Sequence, residues 1–232
     1  MIPVAILAGG LATRMRPHTE TLPKSLLEVA GQPFLAHQLR ELSRQGIQQV
    51  VLCVGHLAKQ IEEFAGDGST FGLQVAYSKE EGSLLGTGGA LRKALPLLGE
   101  EFFVLYGDSW LEIDYTAVYQ AFKESALPAL MTVFRNEGHW DTSNVELQAG
   151  QIQLYSKVQR NERMSHIDYG LGILTRAPLE AYPEQQTFDL VEVYEQLSRQ
   201  HRLASYEATQ RFYEIGSPSG LEELNLKLRD EV

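Results

Sequence analysis

The sequence predicts an α/β protein: a Rossmann-like, mostly parallel central sheet with helices on both faces, plus a smaller β-rich second half. Three observations carry this expectation. Short apolar runs alternate with segments of helical spacing through roughly the first half of the chain. The first and the fourth runs end in glycine, at Gly9-Gly10 and at Gly107-Asp108. Beyond residue 125 the alternation stops, and short strand candidates follow one another with turns between them.

The elements follow in order. Pro3 to Leu7 reads as a buried strand closed by the glycine pair. Leu35, Leu39 and Leu42 repeat at helical spacing within a helix expected over Pro33 to Gln45, stopped by Gly46. Gln49 to Val54 is a second buried strand and Ala58 to Phe64 a second helix. Leu73 to Tyr77, Thr87 to Leu98, Phe102 to Tyr106 and Asp114 to Ser125 continue as strand, helix, strand and helix. Ala129 to Arg135, Val145 to Leu147, Gln151 to Tyr155 and Gly170 to Leu174 are expected strands, with Ala149-Gly150 as a hairpin turn. Leu190 to Gln200 reads as a helix, and Leu203 to Glu207 and Arg211 to Ile215 as strands. A last helix is capped by Ser217, has Pro218 at its first position and two glutamates in its first turn, and buries Leu221, Leu224 and Leu228. No repeat or linker interrupts the chain. We therefore expect one domain over 1–232, with functional halves over about 1–125 and 126–232.

Composition narrows the function. Net charge is −10, which argues against nucleic acid as a partner. It also means that a site for a phosphate-rich anion must concentrate its few cations locally. Cys53 is the single cysteine, so no internal disulfide forms, and its place in an apolar run suits a small buried side chain. The start carries no basic n-region, and no apolar run approaches the roughly 18 residues needed to span a bilayer. The expectation is a soluble, cytoplasmic protein without a membrane partner; a homo-oligomer is compatible with the sequence.

A strand followed by Gly9-Gly10 and then Thr13-Arg14 has the layout of a phosphate loop. Glycines let backbone approach phosphate closely, and arginine adds a fixed donor fork. The loop lacks both G-x-x-x-x-G-K-[ST] and G-x-G-x-x-G, so the pattern alone is equally a strand-to-helix turn. Ten residues after Arg14 comes Pro23-Lys24, a second cation able to bracket a triphosphate. Asp108, at the carboxyl end of a parallel strand, stands where open α/β sheets bind ligands.

Leu7-Ala8-Gly9-Gly10-Leu11-Ala12-Thr13-Arg14, followed by Pro23-Lys24, resembles the signature of the sugar-1-phosphate nucleotidyltransferases. That resemblance implies the nucleotide-diphospho-sugar transferase fold, with NTP and a sugar 1-phosphate as substrates and Mg²⁺ as cofactor. Ala12 stands where that family most often has Gly; a left-handed backbone there would cost on the order of 1 kcal/mol. The resemblance implies nucleotide binding by Leu7, Ala8, Gly9, Gly10, Thr13, Arg14, Lys24, Glu81, Gly86, Thr87 and Gly88, with Arg14, Lys24 and Asp108 catalytic. It implies Asn144, Lys157, Asp168, Tyr169 and Gly170 for the sugar phosphate, and Asp108 with Glu214 for the metal. Glu214 replaces the family's aspartate in a block resembling D-I-G-T-P; it keeps a hard oxygen donor but reaches one methylene further. The chain looks most like the short heptose-1-phosphate guanylyltransferases, which favours GTP and heptose or mannose 1-phosphate. Alternatives are uridylyl or thymidylyl transfer, for example to N-acetylmuramate 1-phosphate, cytidylyl transfer to a small phospho-acceptor, and a non-catalytic sensor.

Overall fold

The computed structural model describes residues 1–229. Its strands are β1 (Val4–Leu7), β2 (Glu28–Val29), β3 (Gln32–Pro33), β4 (Gln49–Val54), β5 (Gln74–Lys79), β6 (Glu101–Tyr106), β7 (Ser109–Trp110), β8 (Ala129–Arg135), β9 (Val145–Gln148), β10 (Gln151–Tyr155), β11 (His166–Thr175), β12 (Leu203–Ala208) and β13 (Tyr213–Glu214). The helices are α1 (Phe34–Arg44), α2 (Ala58–Ala65), α3 (Gly86–Ala94), α4 (Tyr115–Ser125), α5 (Ala177–Glu180), α6 (Leu190–Arg199) and α7 (Pro218–Arg229).

Nine strands form one sheet. One side of it, β5-β4-β1-β6, is parallel throughout. Strand β11 then runs antiparallel to β6 and carries β8 and β9 on its far side; β12 adds parallel to β8, and β10 antiparallel to β9. Only β10 and β11 oppose the common direction, so the sheet is mostly parallel, as expected.

Alternation along β1 shows why both faces are covered. Val4 and Ile6 enter a core with Leu35 and Leu39 of α1, Ile61 of α2 and Val118 of α4. Ala5 points to the other face, with Leu91 of α3, Leu179 of α5 and Val193 of α6. Successive side chains on a strand leave opposite faces, and the β1 run is apolar throughout because both of its faces are covered. Cys53 lies in the second core, fully buried. A third cluster joins Val29 and Phe34 to Ile215, Leu224 and Leu228, fastening α7 to the β2–β3 hairpin.

Local signals act largely as expected. Asp114 caps α4, accepting from the Thr116 and Ala117 N–H groups. Ala149 and Gly150 both take positive φ, the backbone of a tight two-residue hairpin. Ser217 Oγ accepts from Gly220 N–H at 3.0 Å, as an N-cap does.

Three expectations need correction. Arg211–Ile215 does not form a long strand; only Tyr213–Glu214 pairs, and it pairs with β7 outside the main sheet. The first turn of α7 holds no acid. Glu222 and Glu223 fall further along the helix, and the acid at its N-terminus is Glu214, reached from outside. The strand expected over Gly170 to Leu174 begins earlier, at His166, with a register break between Asp168 and Gly172 where Gly170 takes φ +103°.

Candidate active site

Two clefts meet at the carboxyl ends of β1 and β6. The first, about 270 Å³, is lined by Leu7, Ala8, Gly9, Gly10, Lys24 and Asp108, with Gly86 and Thr87 opposite. The second, about 540 Å³, takes Asn144, Lys157, Asp168, Tyr169 and Gly170, with Arg14 and Glu214 at the end nearer Asp108. Tyr106 and Asp108 line both. Backbone register explains the junction. Tyr106 lies beside Leu7 across the β1/β6 ladder, so Gly107-Asp108 leaves the sheet next to the glycine loop.

Asp108 is the hub. Lys24 Nζ donates to its Oδ2 at 2.6 Å, both side chains being about three-quarters buried. The short β7/β13 ladder sets Glu214 opposite Ser109, and Ile215 N–H donates to the Asp108 carbonyl at 2.9 Å. A Cβ placed on Gly216 would stand 2.7 Å from Glu214 Oε2, 3.1 Å from Asp108 Oδ2 and 3.3 Å from Arg14 Nη2. Two carboxylates and a guanidinium therefore converge around a residue that has no side chain. The Glu214 carboxylate also accepts from Gly216 N–H and from the Ser217 hydroxyl. These contacts hold it at the N-terminus of α7, where the helix dipole favours an anion.

The donor set suits Mg²⁺. Asp108 and Glu214 offer hard oxygens from two sides, and Mg²⁺ commonly takes one or two carboxylates and completes its shell with substrate phosphates and water. Among the described residues no group of three or more acidic, His or Cys side chains gathers for a metal, so the remaining positions would fall to ligand oxygens.

In the second cleft Asp168 is held from three directions. Its N–H donates to Asn144 Oδ1, Gly170 N–H donates to its Oδ1, and the Tyr106 hydroxyl donates to its Oδ2 at 3.1 Å. Burial pushes its carboxyl above the usual range, and the Lys157 ammonium opposes that rise. Lys157 Nζ lies 6.0 Å from the centre of the Tyr106 ring. Burial first, and the Asp168 charge second, push the Tyr155 and Tyr194 phenols up.

Several expected residues occupy other places. Arg14 faces the second cleft rather than the first. Ala12 does adopt the left-handed backbone, φ 46° and ψ 45°, and its carbonyl accepts from the Thr19 hydroxyl. Thr13 lies in a short 3-10 turn and lines neither cleft. Glu81 lines neither cleft, and its neighbour Glu80 lines the first, with Oε1 accepting from Leu85 N–H at 2.6 Å. Burial raises the Glu80 carboxyl, and that hydrogen bond resists the rise. Gly88 faces the Phe188 ring, 2.3 Å from where its Cβ would stand, so its smallness serves helix packing. Thr87 Oγ1 donates to Asp189 Oδ1 and accepts from Leu190 N–H, joining α3 to the start of α6.

Sequence reasoning missed Tyr106, Leu84 and Asp189 as cleft residues. Asp189 places a residue from the second half in the wall of the first cleft. Its signal was present, since Asp189 and Glu192 make a capping box at the start of α6. Tyr106 read only as the end of a strand.

A sheet of this topology with glycine loop, lysine and aspartate at its carboxyl edge defines a nucleotide-handling α/β protein. Residues 4–143 match the family described as nucleotidyl transferase, and the chain belongs to that family. It is 45% identical over 124 residues to the N-acetylmuramate alpha-1-phosphate uridylyltransferase of Neisseria meningitidis serogroup B, covering 53% of each chain. It is 35% identical over 139 residues to a UTP--glucose-1-phosphate uridylyltransferase of Synechocystis, covering 55% of this chain and 36% of that protein. These two matches thus span about half and about a third of the relatives' lengths. It is also 28% identical over 213 residues to the D-glycero-alpha-D-manno-heptose 1-phosphate guanylyltransferase of Campylobacter jejuni, covering 92% of this chain and 94% of that one. In fold it is similar to the inositol-1-phosphate CTP transferase from T. maritima: TM-score 0.81, 21% identity, 100% of this chain and 98% of that chain. No helix among the described residues is long and apolar enough to cross a membrane.

Proposed function

We propose that this protein transfers a nucleotidyl group from an NTP to a sugar 1-phosphate and releases pyrophosphate. The observation that carries this reading is the meeting of two clefts at Asp108, one walled by the glycine loop and one holding Lys157 and Asp168. In this reading the NTP lies in the first cleft and the sugar 1-phosphate in the second. An oxygen of the sugar phosphate attacks the α-phosphorus in line; the bond to the bridging oxygen breaks and pyrophosphate departs. The attacking oxygen is already anionic, so no strong base is required, and positioning with charge neutralisation does the work.

Lys24 would neutralise the α-phosphate, leaving Asp108 to the metal. Arg14, beside Asp108 and Glu214, would take charge on the departing β/γ phosphates. Lys157 would hold the acceptor phosphate. Asp108 and Glu214 would hold Mg²⁺, which supplies Lewis-acid neutralisation of phosphate charge when bound.

For base and sugar, the guanylyl reading with heptose or mannose 1-phosphate draws on the relative that aligns along nearly its whole length. The higher identity to the N-acetylmuramate uridylyltransferase favours a second reading, UTP with N-acetylmuramate 1-phosphate. A matrix of four NTPs against heptose, mannose, glucose, N-acetylglucosamine and N-acetylmuramate 1-phosphates, read by pyrophosphate release, tests both. Turnover with one pair selects the substrates. Nucleotide binding without turnover for any acceptor sinks the catalytic reading.

A further inference from the structure

Lys157 and Asp168 carry opposite charges and line the same cleft, yet they form no ion pair within 4 Å among the described residues. Tyr106 contacts both. Its ring lies under the Lys157 ammonium, 6.0 Å from centroid to Nζ, and its hydroxyl donates to Asp168 Oδ2 at 3.1 Å. One side chain thus gives the cation a π face and the anion a hydrogen bond. Tyr106 is itself held tightly. Its backbone is paired with Leu7, its carbonyl accepts from Gln38 Nε2 at 3.2 Å, and the chain of Gly170 passes its ring edge. The carboxylate is pinned as well, by Gly170 N–H on its other oxygen.

We propose that Tyr106 is the positioning residue of the acceptor-phosphate site: it keeps Lys157 and Asp168 from collapsing into a salt bridge and so leaves the lysine charge for the incoming phosphate. This rests on the proposed placement of the sugar phosphate at Lys157. Asp168 would keep the Gly170 N–H on its other oxygen and the Tyr155 phenol nearby, but a recessed carboxylate that loses one donor draws the nearest cation more strongly, because a poorly paired buried charge is costly. Removing the Tyr106 hydroxyl therefore draws Lys157 onto Asp168 and removes it from the substrate. Tyr106 lines both clefts, but its hydroxyl meets Asp168, which lines only the second, so deleting the hydroxyl falls on the acceptor.

The test is Tyr106→Phe, which keeps the ring and deletes the hydroxyl. The KM for sugar 1-phosphate should rise on the order of 10-fold, as loss of one charge-assisted contact predicts, while the KM for NTP stays within about twofold. A crystal structure of the variant should show Lys157 Nζ within ion-pair distance of an Asp168 carboxylate oxygen. Tyr106→Leu, which also removes the π face, should raise the acceptor KM at least as much. An unmoved Lys157 overturns the proposal whatever the kinetics. So does an unchanged acceptor KM, or an equal rise in both KM values with a fall in Tm, which marks Tyr106 as structural only. If the wild-type protein turns over no sugar 1-phosphate, the proposed function fails; the Lys157 position in the variant crystal still decides whether Tyr106 separates the two charges.

Discussion

Replacing Gly216 with alanine tests whether the convergence around that residue is the working geometry. The added Cβ would stand 2.7 Å from Glu214 Oε2, about 0.7 Å inside the 3.4 Å at which ordinary contact begins. Asp108 Oδ2 at 3.1 Å and Arg14 Nη2 at 3.3 Å would also be crowded. The Glu214 carboxylate cannot swing aside without cost, because Gly216 N–H and the Ser217 hydroxyl both bind it. Losing one such hydrogen bond to a charged group costs about 1.5–3 kcal/mol. Displacing a reacting constellation by around 1 Å can cost on the order of 100-fold in rate. Gly216→Ala should therefore lower turnover by about two orders of magnitude, while Tm falls by about 3–12 °C, since about 2–4 °C accompanies each kcal/mol in a chain of this size. Pyrophosphate release at saturating substrates, repeated across an Mg²⁺ series, gives the first number and a thermal melt the second. Turnover within twofold of wild type would refute the argument that Arg14, Asp108 and Glu214 act from these positions.

Other outcomes follow from the same geometry. Lys24→Ala should cut turnover on the order of 100-fold through lost phosphate neutralisation, with a much smaller change in Tm, because its partner Asp108 is still partly solvated. Parallel loss of rate and stability would make Lys24 a structural lysine. Ala12→Gly should leave stability unchanged or raise it by up to about 1 kcal/mol, since left-handed strain at an L-residue is relieved and glycine's greater unfolded freedom offsets part of the gain. A melt showing clear destabilisation would contradict this. Burial lifts the Cys53 thiol from 9.0 to about 12, with the Glu80 charge adding to the effect. The folded protein therefore holds that proton where the unfolded chain releases it, and the associated stability is complete below pH 9.0 and drains away as pH climbs toward 12. Chemical melts of wild type and Cys53→Ala should diverge above pH 9.0, with the wild type losing more. Matching slopes would remove the thiol from the account.

The glycine loop, Pro23-Lys24 and Gly107-Asp108 were legible because each sits at the end of a strand whose apolar run is unmistakable. The register of parallel neighbours then brings strand ends together without further information. Glu214 was legible as a block and not as a position. The two-residue ladder between β7 and β13 sets it beside Asp108, and such a ladder has no periodicity to detect. The glycines of α3 showed the opposite limit. Their small size reads as room for a ligand, but only the packing of Phe188, about 100 residues away, decides what fills that room.

The amino-acid sequence by itself determined the α/β class, the order of its elements, the strand-end loop with its cations, and the placement of an acid at the carboxyl edge of the sheet. These depend on local patterning and on strands buried on both faces. Tertiary structure alone decided which side chains share a cleft: Arg14 with Lys157, Asp189 with the glycine loop, and Tyr106 with both Lys157 and Asp168. Those pairings span tens to more than a hundred residues of chain. They are set by sheet register and by the antiparallel return of β11, and no local pattern encodes either.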